Sequence, residues 1–322
     1  MLLMLQVDMD ISPYIKRVAR GKHGSEHLDR DEAKMVFQKL LQSDTDMLQL
    51  GAFLIAQRMK GETSAELAGF VEAARETVQG FAQFFAPKGA VDLPCYAGKR
   101  RSGHAYLAAA MLARVQGVPI VVHGVEHIEE RVTAWQVLEA AGVQRASGLG
   151  DASAILAADN IVYIDLAELS PDLFRIYNLR PRLGVRSFAN TVARLLNPMS
   201  CEGQLNGLFH TPYADYMADA NVLLGQQRSL VFMGAEGEPE LYADRQKLVV
   251  KQQGDKMSRI SYGEAGVAMY PRELMDERLL KESLGSMLEG KLNEREIAVV
   301  NRMSEAFHWA SQGEFPEGWV EQ

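Results

Sequence analysis

Apolar positions recur at two different periods along the chain, and the change of period divides it. In the first 80 residues they recur every three or four positions, which is the spacing of one buried helix face. The clearest such stripe comprises Leu48, Ala52, Ile55 and Met59. Asp29 stands where it would cap a helix, and Thr63 and Glu66 have the spacing of a capping box. This part of the chain predicts a lobe of four short amphipathic helices.

From about residue 90 the pattern changes to short, continuous apolar runs rich in valine and isoleucine. The runs are AVDLP, VPIVVHG, NIVYIDL and SLVFMG, and helical patterns separate them. Strands that alternate with helices indicate βαβ units around a mostly parallel sheet. We therefore predict an α/β fold with two parts. A small helical lobe comprises residues 1–85, joined by part of residues 170–200, and a larger α/β domain comprises residues 86–322.

Composition argues against several classes of protein. The 322 residues are 47% hydrophobic and 24% charged, as in ordinary globular domains. The opening run MLLMLQV is too short to span a membrane, and no cationic segment precedes it, so neither a membrane span nor a signal peptide is expected. Cys95 and Cys201 are the only cysteines, which argues against a disulfide framework or a zinc site and favours a cytoplasmic setting.

The formal net charge of −8 conceals three clusters of cations. They are Lys16, Arg17, Arg20 and Lys22; Lys99, Arg100 and Arg101; and Arg180, Arg182 and Arg186. The second cluster lies between Gly98 and Gly103, after the first predicted strand and before a helix, where open α/β sheets bind ligands. Its long side chains would fill the space of an enclosed diphosphate, so an extended phosphate backbone fits better.

Each cluster also has a plain structural explanation. The N-terminal set is equally consistent with a solvated helix face. The second cluster could be a solvated turn, although its place at the end of a strand favours anion binding. Any one arginine of the third set is as readily explained by a pair with Glu168 or Asp172. Tyr96 and Tyr106 flank the second cluster and are candidates for base stacking, although one of them is expected to pack in the core. Taken together, the second and third clusters are expected to line opposite sides of one cleft, which favours an anion-binding groove.

Several phrases of the sequence resemble the anthranilate phosphoribosyltransferase family. They include LIAQRMKGETSAELAGFVEAARE, VPIVVHG, LGVRSFANTVARLLNP, LVFMGAEGE and REIAVVNRMSEAF. The resemblance runs from about residue 12 to about residue 310. It implies a homodimer formed through the helical lobe and an α/β domain that binds phosphoribosyl pyrophosphate with magnesium.

The chain departs from that family at three ligand-binding motifs. The family's diphosphate loop, roughly G-T-G-G-D-G, is replaced by CYAGKRRSGHAY, and its K-H-G-N-R segment reads V-H-G-V-E at residues 122–126. Its magnesium-binding D-G-L-D-E falls on E-G-E-P-E at residues 236–240, where Pro239 offers no ligand. A subgroup without the transferase activity, the YbiB-like proteins, is similar in carrying Y-x-G and basic residues in its first loop. That resemblance implies nucleic-acid binding.

The leading expectation is a cytoplasmic homodimer that binds single- or double-stranded DNA, or RNA, with little sequence preference. Under this hypothesis the protein has no catalytic residue, uses no cofactor or metal, and does not contact a membrane. The alternative hypothesis is a phosphoribosyltransferase of altered substrate choice that uses phosphoribosyl pyrophosphate and magnesium, with Glu236, Glu238 and Glu240 as weak candidate ligands. A third hypothesis is an assembly partner whose helical lobe matters and whose cleft is vestigial.

Overall fold

Four helices at the start of the chain form the helical lobe. The protein is represented by a computed structural model that describes residues 9–21 and 23–322. The helices are α1 (Ser12–Val18), α2 (Arg30–Leu41), α3 (Met47–Lys60) and α4 (Ser64–Glu76). Asp29 and Thr63 each form a complete capping box, with Glu32 and Glu66 respectively. The four predicted helices and both predicted caps are confirmed.

A sheet of nine strands forms the centre of the larger domain, counted over the described residues. The strands are β1 (Val91–Cys95), β2 (Ile120–Gly124), β3 (Arg145–Ala146), β4 (Ile161–Asp165), β5 (Gly203–Leu208), β6 (Arg228–Met233), β7 (Val249–Gln253), β8 (Lys256–Tyr262) and β9 (Trp319–Glu321). Their order across the sheet is β3–β4–β2–β1–β5–β6–β7–β8–β9. Neighbours from β3 to β6 are parallel, and β7, β8 and β9 extend the sheet antiparallel. The predicted mostly parallel sheet is confirmed.

Helices cover both faces of this sheet. Those of the larger domain are α5 (Ala105–Val115), α6 (Ala134–Ala140), α7 (Leu149–Asp159), α12 (Tyr213–Leu223), α13 (Glu277–Leu288) and α14 (Glu294–Gln312). Neighbouring residues of β2 enter different cores: Val122 packs with α5 and α14, whereas Val121 packs with α7. No helix in the described ranges is long and apolar enough to cross a membrane.

A second helical segment leaves the sheet after β4 and packs against the helical lobe. It contains α8 (Leu166–Leu169), α9 (Pro171–Tyr177), α10 (Arg180–Leu183) and α11 (Ala189–Arg194). Phe188, next to α11, stacks on Phe70 of α4 at 4.2 Å between ring centroids and meets Phe37 of α2 at 5.1 Å. This packing places α10 near the carboxyl end of β1, where Arg180 of α10 and Tyr96, the residue after β1, line the same cavity.

Candidate functional site

The loop that follows β1 is held in a closed shape by its own backbone. Lys99 forms an isolated antiparallel bridge with Val132, with two N–H···O bonds of 2.8 and 2.9 Å. Gly98 has a φ of 64°, and a Cβ at this position would lie 2.9 Å from the Cβ of Arg131. Only glycine fits that approach without strain. The loop therefore packs tightly against residues 131–132.

Two glutamates accept the hydrogen bonds of the loop's backbone. The Glu238 carboxylate accepts from the amides of Ala97, at 3.0 Å, and Gly98. The Glu236 carboxylate accepts from the amides of Arg100, at 3.2 Å, and Arg101, at 3.0 Å. Successive backbone amides of this kind make an anion-binding concavity, and here the anions belong to the protein itself. The backbone donors that a diphosphate would need are already used.

The third glutamate of this segment holds Lys99 inside the protein. The Lys99 side chain is fully buried, and its Nζ lies 2.5 Å from Oε1 of Glu240 and 2.7 Å from the carbonyl oxygen of Gly103. The other oxygen of Glu240 accepts from the amide of Tyr106 at 3.3 Å. Lys99 was expected to contact a polyanion, and this expectation is wrong because its ammonium group is enclosed and paired.

The acidic segment does not fit the magnesium site that the family resemblance implies. The carboxylates of Glu236, Glu238 and Glu240 bond amide and ammonium donors, which compete with a cation for their oxygens. Of these six oxygens, Oε2 of Glu238 alone has no hydrogen-bond partner among the described residues. Burial, opposed by the amide of Gly98, raises the pKa of Glu238. Within the described residues, no group of three or more Asp, Glu, His or Cys side chains is arranged to hold a metal ion.

The two tyrosines beside this loop are core residues. Tyr96 is 1% exposed and its hydroxyl bonds Nδ1 of His123 at 2.7 Å, while Nε2 of the same histidine faces Asp92. Tyr106 is fully buried, with its hydroxyl 3.6 Å from Sγ of Cys95. Base stacking by either ring is excluded as the structure stands, because neither presents a face to solvent. The buried contacts of His123 with Tyr96 and Asp92 are those of a structural residue.

The arginines of the second and third clusters remain accessible. Arg180 and Arg182 are exposed, whereas Arg100, Arg101 and Arg186 are partly exposed. In the ranges that the structure describes, Arg100 approaches only the exposed Glu130, at 4.0 Å, and no carboxylate pairs with the other four. Unpaired cations at the carboxyl ends of parallel strands remain free to bind anions.

Two adjoining cavities contain three of these arginines in their walls. One of about 360 Å³ is lined by Tyr96, Tyr177, Arg180 and Arg186, among others. The next, of about 320 Å³, is lined by Arg100 and Arg131 and also by Glu130 and Glu277, among others. Both share His127 and Ile128 in their walls. Arg100, Arg180 and Arg186 therefore border one cleft, with Arg131 beside them, whereas Arg101 and Arg182 line neither cavity.

Crowding of positive charge in this cleft affects the arginines themselves. Burial first, and then the charges of Arg194 and Arg180, lowers the pKa of Arg186 to about 10. Burial also lowers the pKa of Arg131, with further contributions from Arg100 and Arg180 that are opposed by Glu236. Both guanidinium groups remain charged near pH 7, and an added anion would relieve their mutual repulsion.

Two arginines of the N-terminal cluster are paired with neighbouring acids. Arg17 pairs with Glu32 at 2.5 Å and with Glu26 at 3.5 Å, and Arg20 pairs with Glu26 at 2.7 Å. Lys16 is exposed, and Lys22 lies outside the described residues. Arg17 and Arg20 thus serve the helical lobe as ion pairs, and their assignment to a ligand surface is not supported.

Several residues near the cleft escaped sequence reasoning. Arg58 comes from the last turn of α3, Arg131 from the segment before α6, and Phe209 from the position directly after β5. Arg194 is 8% exposed, and its guanidinium donates to the carbonyls of Gly207 at 3.1 Å and Asn190 at 2.7 Å. No local motif marks these positions, because they meet only through the packing of the two parts of the chain.

Comparison with known proteins identifies the family. Residues 12–78 match a glycosyl transferase family helical bundle domain, and residues 103–306 match the a/b domain of the glycosyl transferase family. The chain therefore belongs to this glycosyl transferase family. The match covers both the helical lobe and most of the sheet domain.

Individual relatives carry two kinds of name. The chain is 33% identical over 242 residues to an uncharacterized protein YbiB of Escherichia coli, covering 74% of each. It is 29% identical over 296 residues to anthranilate phosphoribosyltransferase of Methylobacterium nodulans, covering 90% of this chain and 86% of that one. The crystal structure of anthranilate phosphoribosyltransferase from Thermus thermophilus superimposes with a TM-score of 0.76 at 22% identity, covering 93% and 89% of the two chains. These likenesses establish a phosphoribosyltransferase-like scaffold.

Proposed function

We propose that this protein binds nucleic acid along its arginine-lined cleft and transfers no phosphoribosyl group. One contrast between two sets of donors supports the proposal. The backbone amides of the loop after β1 are occupied by Glu236 and Glu238, whereas Arg101, Arg180 and Arg182 have no carboxylate partner among the described residues. The loop amides, which could bind an enclosed anion, already bond carboxylates of the protein. The three arginine side chains can still bind an added anion.

An extended polyanion suits this arrangement better than a compact diphosphate. A diphosphate in the loop would have to displace buried carboxylates or lie beside them, and like charges in a poorly solvated site repel strongly. A nucleic-acid backbone needs only surface cations at intervals along its length. Arg180 and Arg182 provide such cations without any rearrangement. Backbone contacts of this kind carry no sequence information, so we expect little sequence preference.

A phosphoribosyltransferase of altered substrate choice is the second candidate. The relatives named anthranilate phosphoribosyltransferase favour it, and so does the cavity of about 360 Å³, which has room for a small molecule beside Arg180 and Tyr177. Such an enzyme would need a phosphate site other than the loop amides. It would also need magnesium ligands other than Glu236, Glu238 and Glu240 in their present bonding.

The test measures binding of a labelled single-stranded oligonucleotide by fluorescence anisotropy at several salt concentrations. The variant Arg180→Ala/Arg182→Ala removes two unpaired cations, and should flatten the dependence of log K on log salt by about 1.4, since each phosphate contact on a single strand contributes about 0.7.

The matched control is Lys88→Ala/Lys256→Ala, which removes two exposed cations from the opposite edge of the sheet. Lys88 precedes the amino end of β1, and Lys256 lies beside the turn where Gln253 pairs with Arg228, the first residue of β6. The control should bind as the unaltered protein does. Absence of binding at low salt, or equal slopes for both variants, would overturn the proposal. Release of diphosphate from phosphoribosyl pyrophosphate with magnesium would instead favour the transferase.

Self-association through the helical lobe belongs to the same proposal, with the cytoplasm as its setting. Helix α3 presents exposed apolar side chains: Leu48 is 80% exposed, Met59 81% and Met47 45%. Such a patch typically marks an interface, and two clefts in one dimer would lengthen the cationic track. Leu48→Asp should convert a dimer to a monomer in sedimentation velocity experiments, whereas a monomeric unaltered protein would refute this part.

A further inference from the structure

An exposed aromatic side chain lies beside the arginine cleft. Phe209 follows directly after β5, is 48% exposed, and its ring meets that of His210 edge-to-face at 5.1 Å between centroids. Its Cβ lies 3.7 Å from the position that a Cβ at Gly237 would occupy, next to Ala97. Phe209 therefore borders the acidic segment on one side while one part of its surface remains open to solvent.

Cations from two further elements reach the same place. Phe209 lines a small cavity together with Arg58 of α3, Arg186 and Arg194. Arg58 is exposed, and Arg186 also lines the larger cavity that contains Arg180. In the described part of the chain no carboxylate forms an ion pair with Arg58 or Arg186. The cavity beside Phe209 and the cationic cleft are therefore neighbours, because Arg186 lines both.

The volume of this small cavity limits what it can hold. It measures about 90 Å³, which corresponds to roughly three waters at ~30 Å³ each. A nucleobase does not fit inside such a space, but it can lie across the exposed ring at the mouth. Glu62 lines the cavity too, and burial raises its pKa to about 7, so that its negative charge is incomplete near neutral pH.

From this geometry we propose that Phe209 stacks on an unpaired base of a single-stranded nucleic acid, while Arg58 and Arg186 contact the phosphates on either side. The inference rests on the proposed function and adds a contact to the base, whereas the arginines contact only phosphates. Every base has a π face, so stacking adds affinity without sequence preference. A duplex hides its base faces within its own stack and cannot use Phe209 in this way.

Phe209→Ala is the variant that tests this assignment. It should weaken binding of a short oligothymidylate roughly tenfold, as expected for the loss of one stacked base, and should leave binding of a duplex of the same length unchanged. The salt slope should not change, because no cation is removed. Phe209→Trp should restore the affinity for the single strand. A 2-aminopurine base in the oligonucleotide should be quenched by the unaltered protein and not by Phe209→Ala.

Phe85→Ala provides the matched control. Phe85 is 60% exposed and precedes β1, at the edge of the sheet opposite the cleft. Its removal should change neither ligand's affinity. Equal weakening of single strand and duplex by Phe209→Ala, or no weakening of either, would overturn the stacking assignment while leaving the proposed function intact. If the unaltered protein binds no oligonucleotide, the proposed function itself fails.

Discussion

The loop after β1 and the segment around α10 are both rich in cations, yet the fold treats them in opposite ways. Lys99 of the loop is buried against Glu240, and the amides of the next two residues bond Glu236. Arg180 and Arg182 of α10 lie in solvent with no ion pair among the described residues. Basic residues thus form internal contacts in the loop after β1, whereas in α10 they remain accessible to ligands.

The difference shows that a cation's function depends on whether the chain supplies its counter-ion. An acidic segment, residues 236–240, lies against the loop and accepts the hydrogen bonds of its amides and of the Lys99 ammonium group. Among the described residues no carboxylate forms an ion pair with α10, although Glu129 lines the same cavity as Arg180. A positive charge is a candidate for binding a polyanion only where the fold leaves it without an acidic partner.

The largest expected effect on stability comes from removing the buried ion pair between Lys99, in the loop after β1, and Glu240. Lys99→Met should lower the free energy of unfolding by about 3–5 kcal/mol, because it leaves the Glu240 carboxylate buried without its partner. Urea denaturation would measure this loss. The double variant Lys99→Met/Glu240→Gln should recover much of it, since both charges are then absent. Arg182→Ala, at an exposed site, should change stability by less than about 0.5 kcal/mol. Similar stabilities for Lys99→Met and Arg182→Ala would contradict the contrast.

A second test addresses Glu62, a buried acid that lines the small cavity beside Phe209 and Arg186. Burial raises the pKa of Glu62 from 4.5 to about 7 in the folded protein, so the folded state binds a proton more tightly than the unfolded state between these values. Stability due to this group is therefore greatest at low pH and is lost as the pH rises toward 7.

Glu62→Gln keeps the neutral form at every pH and should stabilise the protein at pH 8. The gain should be about 3 kcal/mol at most, from about 1.4 kcal/mol per pKa unit. At pH 5 most of the gain should disappear, and urea denaturation at the two pH values measures the difference. A gain of the same size at both would show that the titration of Glu62 is not responsible.

The smallest effect is expected where cations are already paired. Arg17→Ala/Arg20→Ala removes as many charges as Arg180→Ala/Arg182→Ala, but from side chains that bond Glu26 and Glu32. It should leave the salt slope of oligonucleotide binding unchanged and cost no more than about 1 kcal/mol of stability, as for other partly exposed ion pairs. A flattening as large as that of the α10 variant would mean that pairing does not decide which cations bind.

Elements with strong local signals were predictable. The strands β1, β2, β4 and β6 fall on the four valine- and isoleucine-rich runs, and the capping boxes at Asp29 and Thr63 form as their spacing indicates. Strand β5 was missed because Gln204 and Asn206 interrupt its apolar pattern. Both are fully buried, and their amides bond Asp92 and the carbonyl of Arg194. Polar residues that are satisfied by distant partners hide a central strand from periodicity.

The sequence by itself determined the helical lobe, the alternation that builds the sheet, the family resemblance and the loss of the three ligand-binding motifs. These depend on the order of side chains within short windows. Only the tertiary structure decided which cations are free, because Lys99 and Glu240 stand 141 positions apart and meet through packing of the loop against the acidic segment. It likewise placed Tyr96 and Tyr106, the expected stacking residues, in the core, whereas Phe209 beside the cleft is 48% exposed. Exposure and pairing are properties of three-dimensional neighbours, and no local spacing encodes them.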